Sequence, residues 1–129
     1  MDEKWEWVLP LFREKISASL SERDFSASGE NVLNSKSLDG EEPERHGVVI
    51  TYEKGSVIFT LSVILRKDYD SKNIFWLRAS LDSASNRYKF KSEIQNPWVI
   101  YKTDGRVCYS PQDVANGMNE INQWLKQKL

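Results

Sequence analysis

Reactive side chains are scarce in this chain of 129 residues, which carries one cysteine, Cys108, and one histidine, His46. A thiol becomes a nucleophile at neutral pH only beside a base or a cation. Cys108 follows Val107 in an alternating segment, where a small buried hydrophobe is its ordinary role. His46 lies between a polar stretch and a strand pattern, and no spacing joins it to Cys108. The same two residues cannot build a Cys/His zinc site or a disulfide framework within one chain. Glu53, Asp82 and Glu93 are carboxylates that strand pairing could bring together for acid–base hydrolysis, yet no spacing favours them. Asp68, Asp70 and Lys72 occupy alternate positions that begin like a calcium loop. Lysine takes the third ligand slot, and no glutamate closes the site, so a hairpin loop is expected there. The six glycines are scattered singly, which leaves no phosphate-cradling loop. The chemistry on view therefore points away from catalysis, metals and cofactors and toward binding.

Two groups of residues suit binding. Trp76, Arg78, Lys89 and Lys91 fall on the outward positions of alternating segments, a basic and aromatic patch able to receive an acidic partner. Asp39, Glu41, Glu42 and Glu44 form an acidic run around Gly40 and Pro43, an exposed loop able to face a basic partner. Of the five tryptophans, Trp5 and Trp124 fit helix faces, Trp98 lies in a strand segment, and Trp7 and Trp76 fall off the buried pattern. Tryptophan outside the core is a mark of binding surfaces. The net charge of -1 and pI of about 5.9 hide an asymmetry. Residues 1–46 hold eleven acids and six bases, and residues 47–129 hold eight acids and twelve bases. With no global basic field, and with Tyr88 and Phe90 expected in the core, nucleic acid is not the expected partner.

Those residues need elements to position them. Trp5, Val8, Leu9, Phe12, Ile16 and Leu20 form one apolar stripe, so residues 3–20 are expected to be helical. Pro10 sits inside the stripe, so the helix either starts near it or kinks at it. Residues 21–46 are mostly polar, and a short strand over residues 31–36 is the expectation there. Residues 48–53, 57–65, 75–81 and 87–91 alternate as strands, with Lys54-Gly55 as a tight turn. Residues 98–103 and 106–109 flank Asp104-Gly105, a hairpin signal. Ser110, Pro111 and Asp113 form the cap of a C-terminal helix whose face is Val114, Met118, Ile121 and Leu125. Gly117 weakens that helix by about 1 kcal/mol, a cost that close packing on the sheet would explain.

The expected fold is α+β over residues 1–129 as one domain. It is a two-layer sandwich with an N-terminal helix, an antiparallel meander of five or six strands, a C-terminal helix and an exposed acidic loop at 39–46. The helices should cover the face carrying Phe59, Leu61, Val63, Phe75, Leu77, Tyr88 and Phe90, leaving the opposite face open. No apolar run reaches the ~18 residues of a membrane span, and the acidic start does not read as a leader, so a cytoplasmic protein is expected.

The functional expectation is a non-enzymatic protein-binding module that acts by occluding another protein. A small bacterial toxin-neutralising immunity protein, with a toxin domain as partner, is its concrete form by analogy of overall plan alone. The alternative is a small-ligand binder with a pocket between sheet and helices. A second copy of the chain on the open sheet face is a further candidate partner.

Overall fold

In the computed structural model, the described residues are 6–35, 45–67, 73–92 and 104–129. The N-terminal helix is one continuous rod in three turns: α-helical over Val8–Phe12, π-helical over Arg13–Ser17 and α-helical again over Ala18–Ser21. Its buried residues Val8, Phe12, Ile16 and Leu20 repeat every four positions. A regular α-helix advances such a stripe by about 40° per step and would swing it off the core within three steps. The wider π turn takes up that drift and keeps all four side chains aimed at the sheet. Pro10 lies in the first turn, where its missing N–H has no intrahelical partner to lose, so the helix begins before it without a break.

Six strands follow: β1 Ser26–Ser35, β2 Arg45–Lys54, β3 Val57–Lys67, β4 Asn73–Asp82, β5 Arg87–Lys89 and β6 Arg106–Cys108. The first five are neighbours in chain order, and every pairing is antiparallel. β1 is longer than the polar composition of residues 21–46 suggested. It is an edge strand with little to bury, and its ladder with β2 carries a bulge at Ser28. β2 starts at Arg45, within the segment expected to be loop. Gly55 turns the β2–β3 hairpin with φ +58.

β5 and β6 share one edge of β4. β5 pairs with residues 80–82 of β4 and β6 with residues 75–77. The two line up end to end along that edge. The Ser92 N–H donates to the Gly105 carbonyl at 3.4 Å where they meet. Of the hairpin expected around Asp104-Gly105, the second arm is β6, paired with β4, and the first arm, 98–103, lies outside the described residues. Gly105 has φ +135, and a Cβ there would overlap the Leu77 carbonyl oxygen. Only glycine allows the chain to press this closely onto β4.

The C-terminal helix spans Pro111–Lys128, with the Ser110 hydroxyl accepting the Asp113 N–H at 3.2 Å. The Asp113 carboxylate accepts the N–H of Tyr109, one residue before the cap, at 3.0 Å. Both helices lie on one face of the sheet. Phe12, Ile16, Leu20, Val48, Ile50, Phe59, Leu61, Val63, Leu77, Met118, Ile121 and Leu125 fill the space between layers. The two helices are also joined directly, the Ser19 hydroxyl donating to Asn122 at 2.5 Å. Gly117 faces Leu77 and Arg106, and a Cβ there would lie 2.5 Å from Leu77 Cδ2, so this glycine does serve close packing.

The alternation rule holds for Phe59, Leu61, Val63, Leu77 and Phe90, which are all buried on this face. Tyr88 follows it in direction but not in burial. Opposite Leu81 it points to the helical side, but it stands at the sheet's edge, 44% exposed, with the Lys128 ammonium 5.0 Å from its ring. An edge strand has a neighbour on one side only, so facing the core does not bury it. Among the described residues, no helix is long and apolar enough to cross a membrane.

Candidate functional site

The strand register arranges the sheet face away from the helices in rows. Thr51, Thr60, Ser80 and Lys89 form one row across β2 to β5. Val49, Ser62 and Arg78 form the next, and Gly47, Ile64, Trp76 and Val107 the one beyond it. On the other flank, Glu53, Ile58, Asp82 and Arg87 stand in line. The pairings Ile64–Trp76 and Ser62–Arg78 match the alternation in the sequence. Val107 of β6 takes the place beside Trp76, and Lys91, though exposed, lies past the last paired residue of β5.

At the centre of this face is a depression of about 130 Å³, lined by Thr60, Ser62, Arg78, Ala79, Ser80, Arg87, Lys89 and Asp104. Three hydroxyls form its floor, and cations stand around it. The Arg78 guanidinium lies over the Trp76 ring, 4.6 Å from its centroid, and within 3.7 Å of Asp104 Oδ2. The Lys89 ammonium donates to the same oxygen at 3.2 Å. Arg87 Nε is 3.1 Å from the Asp82 carboxylate. A guanidinium over an indole face is a favourable cation–π contact.

This geometry corrects the reading of Trp76. It lies on the expected face but is only 9% exposed. Ile64 and Val107 flank it in the ladder and Arg78 covers its ring, so Trp76 is a platform beneath the cation and not a free contact ring. Trp7 is likewise half-buried, meeting Phe75 edge-on at 5.4 Å. Exposed tryptophan therefore drops out as evidence of a partner surface for these two residues. Arg78 and Lys89 are brought together, and Arg87 and the hydroxyls join them. Asp39, Glu41, Glu42 and Glu44 lie outside the described residues.

Asp104 is the residue that sequence reasoning missed, because Asp-Gly reads as a turn. The usable signal is the glycine. A positive-φ glycine pressed onto a strand delivers the preceding side chain over that strand's neighbours.

The other reactive candidates fall elsewhere. Glu53 and Asp82 flank Ile58, about 10 Å apart by strand spacing, and do not converge. Glu93 and residues 68–72 lie outside the described residues, as does the side chain of His46. Cys108 is buried on the helical side of β6, and its thiol is pushed from 9.0 up to about 12. Burial is the main cause and the Asp113 carboxylate adds to it, while Arg106 pulls the other way. Beside it, Arg106 is 8% exposed and bridges Asp113, at 3.2 Å, and Glu120 of the C-terminal helix. The Ser92 hydroxyl donates to Glu120 at 3.3 Å. Among the described residues, no three His, Cys, Asp or Glu side chains are grouped so as to hold a metal ion.

Comparison with protein-family models, curated proteins and solved structures returns no match for this chain.

Proposed function

We propose that this protein is a non-enzymatic binding module whose open sheet face receives an acidic segment of another protein and thereby occludes it. One observation carries the reading: a floor of hydroxyls, Thr60, Ser62 and Ser80, ringed by Arg78, Arg87 and Lys89 with a single acid, Asp104, on the lining. Hydroxyls and a stacked guanidinium donate hydrogen bonds that suit carboxylate oxygens. Surrounding cations raise the local concentration of an acidic partner and speed its encounter. Neutralisation of a toxin domain by covering its acidic surface is the concrete form of this reading, and residence in the cytoplasm fits it. The alternative, a small-ligand pocket between sheet and helices, has less support. Among the described residues that space holds Phe12, Ile16, Phe59, Leu61 and Met118, all buried.

The test is affinity purification of the full chain from its native host at low salt, beside an Arg78→Glu/Lys89→Glu variant. A stoichiometric acidic protein should accompany the wild type and be absent from the variant. A wild-type chain that elutes alone as a monomer, or a partner held equally by the variant, would overturn the reading. Self-association lost in the variant would reassign the face to a second copy.

A further inference from the structure

We propose that Asp104 is a built-in stand-in for the partner's carboxylate, occupying the Arg78–Lys89 seat until an acidic segment displaces it. The inference rests on the binding role given above to this face. One oxygen, Oδ2, serves both cations, at 3.7 Å from Arg78 and 3.2 Å from Lys89. A carboxylate from outside would take the same place, since Arg78 lies over the Trp76 ring with one guanidinium nitrogen 3.7 Å from that oxygen. The arrangement is open to exchange: the side chains of Asp104, Arg78 and Lys89 are 24%, 35% and 39% exposed. Ion pairs this wet are weak and are given up readily.

Asp104 reaches the seat by way of the return onto β4. Gly105, at φ +135, presses the chain against Leu77 and sets Asp104 beside Arg78. The lone carboxylate leaves the hydroxyls of Thr60, Ser62 and Ser80 as further donors in the same depression. A partner segment with several carboxylates can engage the cations and those hydroxyls together, which Asp104 alone does not do. The guard therefore sets a threshold. A single free acid competes at a disadvantage because Asp104 is tethered at the seat, whereas a run of acids that also engages the hydroxyls outcompetes it.

The probe is hexaglutamate, titrated calorimetrically at low salt into the full-length wild type and into Asp104→Asn, with Glu22→Gln as a control. Glu22 is a well-exposed acid outside the seat, so its variant shifts net charge equally. Asp104→Asn should bind about three- to tenfold more tightly than wild type, and Glu22→Gln less than twofold more tightly. Asp104→Ser should move in the same direction, which guards against a folding artefact of the first variant. If wild type binds hexaglutamate and an Arg78→Gln/Lys89→Gln variant does not, yet Asp104→Asn gains nothing, the guard is overturned and the binding face stands. If no form binds hexaglutamate, face and guard both fall. Binding of inorganic phosphate in place of hexaglutamate would overturn the assignment to an acidic segment.

Discussion

Two arginines beside the same strand teach different lessons. Arg106 pairs with Leu77 and faces the helices, closed in by Asp113 and Glu120. Arg78, one residue after Leu77, faces the other way and leans on Trp76 and Asp104. Both contact acids, but their burial differs, with side-chain exposures of 9% and 35%. Arg106 ties β6 to the C-terminal helix, and Gly117 gives up its side chain to make room for it. A charge taken out of water must keep its partners. A charge left half in water can exchange them, which is what a binding surface requires.

The largest expected effect tests that contrast directly. Arg106→Ala should destabilise the fold by about 2–4 kcal/mol, because its buried stem leaves a gap beside Gly117 and the partly exposed Asp113 and Glu120 lose the cation between them. Arg78→Ala should lose no more than about 1 kcal/mol. Urea unfolding followed by tryptophan fluorescence measures both. Equal losses would erase the distinction between clamp and binding cation.

This distinction was only partly legible in the sequence. Alternation over Val57–Leu65 places Phe59, Leu61 and Val63 in the core because a strand with one buried face has period two. It cannot place Arg106, since a three-residue strand has too few positions to show a period. Nor does it say that β6 lies beside Trp76, because that depends on where the chain returns after Ser92. The capping residues Ser110 and Asp113 were readable as local chemistry, but the Arg106–Asp113 pair is a tertiary contact. Edge position explains the exposure of Tyr88 and the underestimate of β1: pairing and burial come from neighbours that a local pattern does not contain.

A second, smaller effect concerns Cys108 inside the clamp. Its thiol is held protonated to about pH 12, while an unfolded thiol ionises near 9.0. Between those values the unfolded chain has lost the proton that the folded chain keeps, so stability falls as pH rises. The loss should be negligible below about pH 8 and exceed about 1 kcal/mol by pH 10. Tyrosines and lysines titrate in the same range, so the informative quantity is the difference from Cys108→Ala, whose stability should decline less steeply. The native thiol should also resist iodoacetamide at pH 8 and react on unfolding. Fast alkylation of the folded protein would place Cys108 at an accessible surface and break the picture of a sealed clamp.

The smallest expected effect lies on the open face, and salt is the instrument that reveals it. In Arg78→Gln and Lys89→Gln, the Asp104 carboxylate keeps access to water, so each variant should change stability by under about 1 kcal/mol. Whatever difference exists should fade as salt is raised from 0.01 to 1 M, because the screening length falls from about 30 to about 3 Å. The deficit of Arg106→Ala should persist in larger part at 1 M, since the packing of its buried stem is lost whatever the salt. Chemical denaturation with urea, which adds no ions, keeps the two series comparable. A salt-independent loss in Arg78→Gln would mean that Trp76 stacking holds the strand as firmly as the clamp holds the helix. The seat would then be structural, and its cations would not be free to change partners.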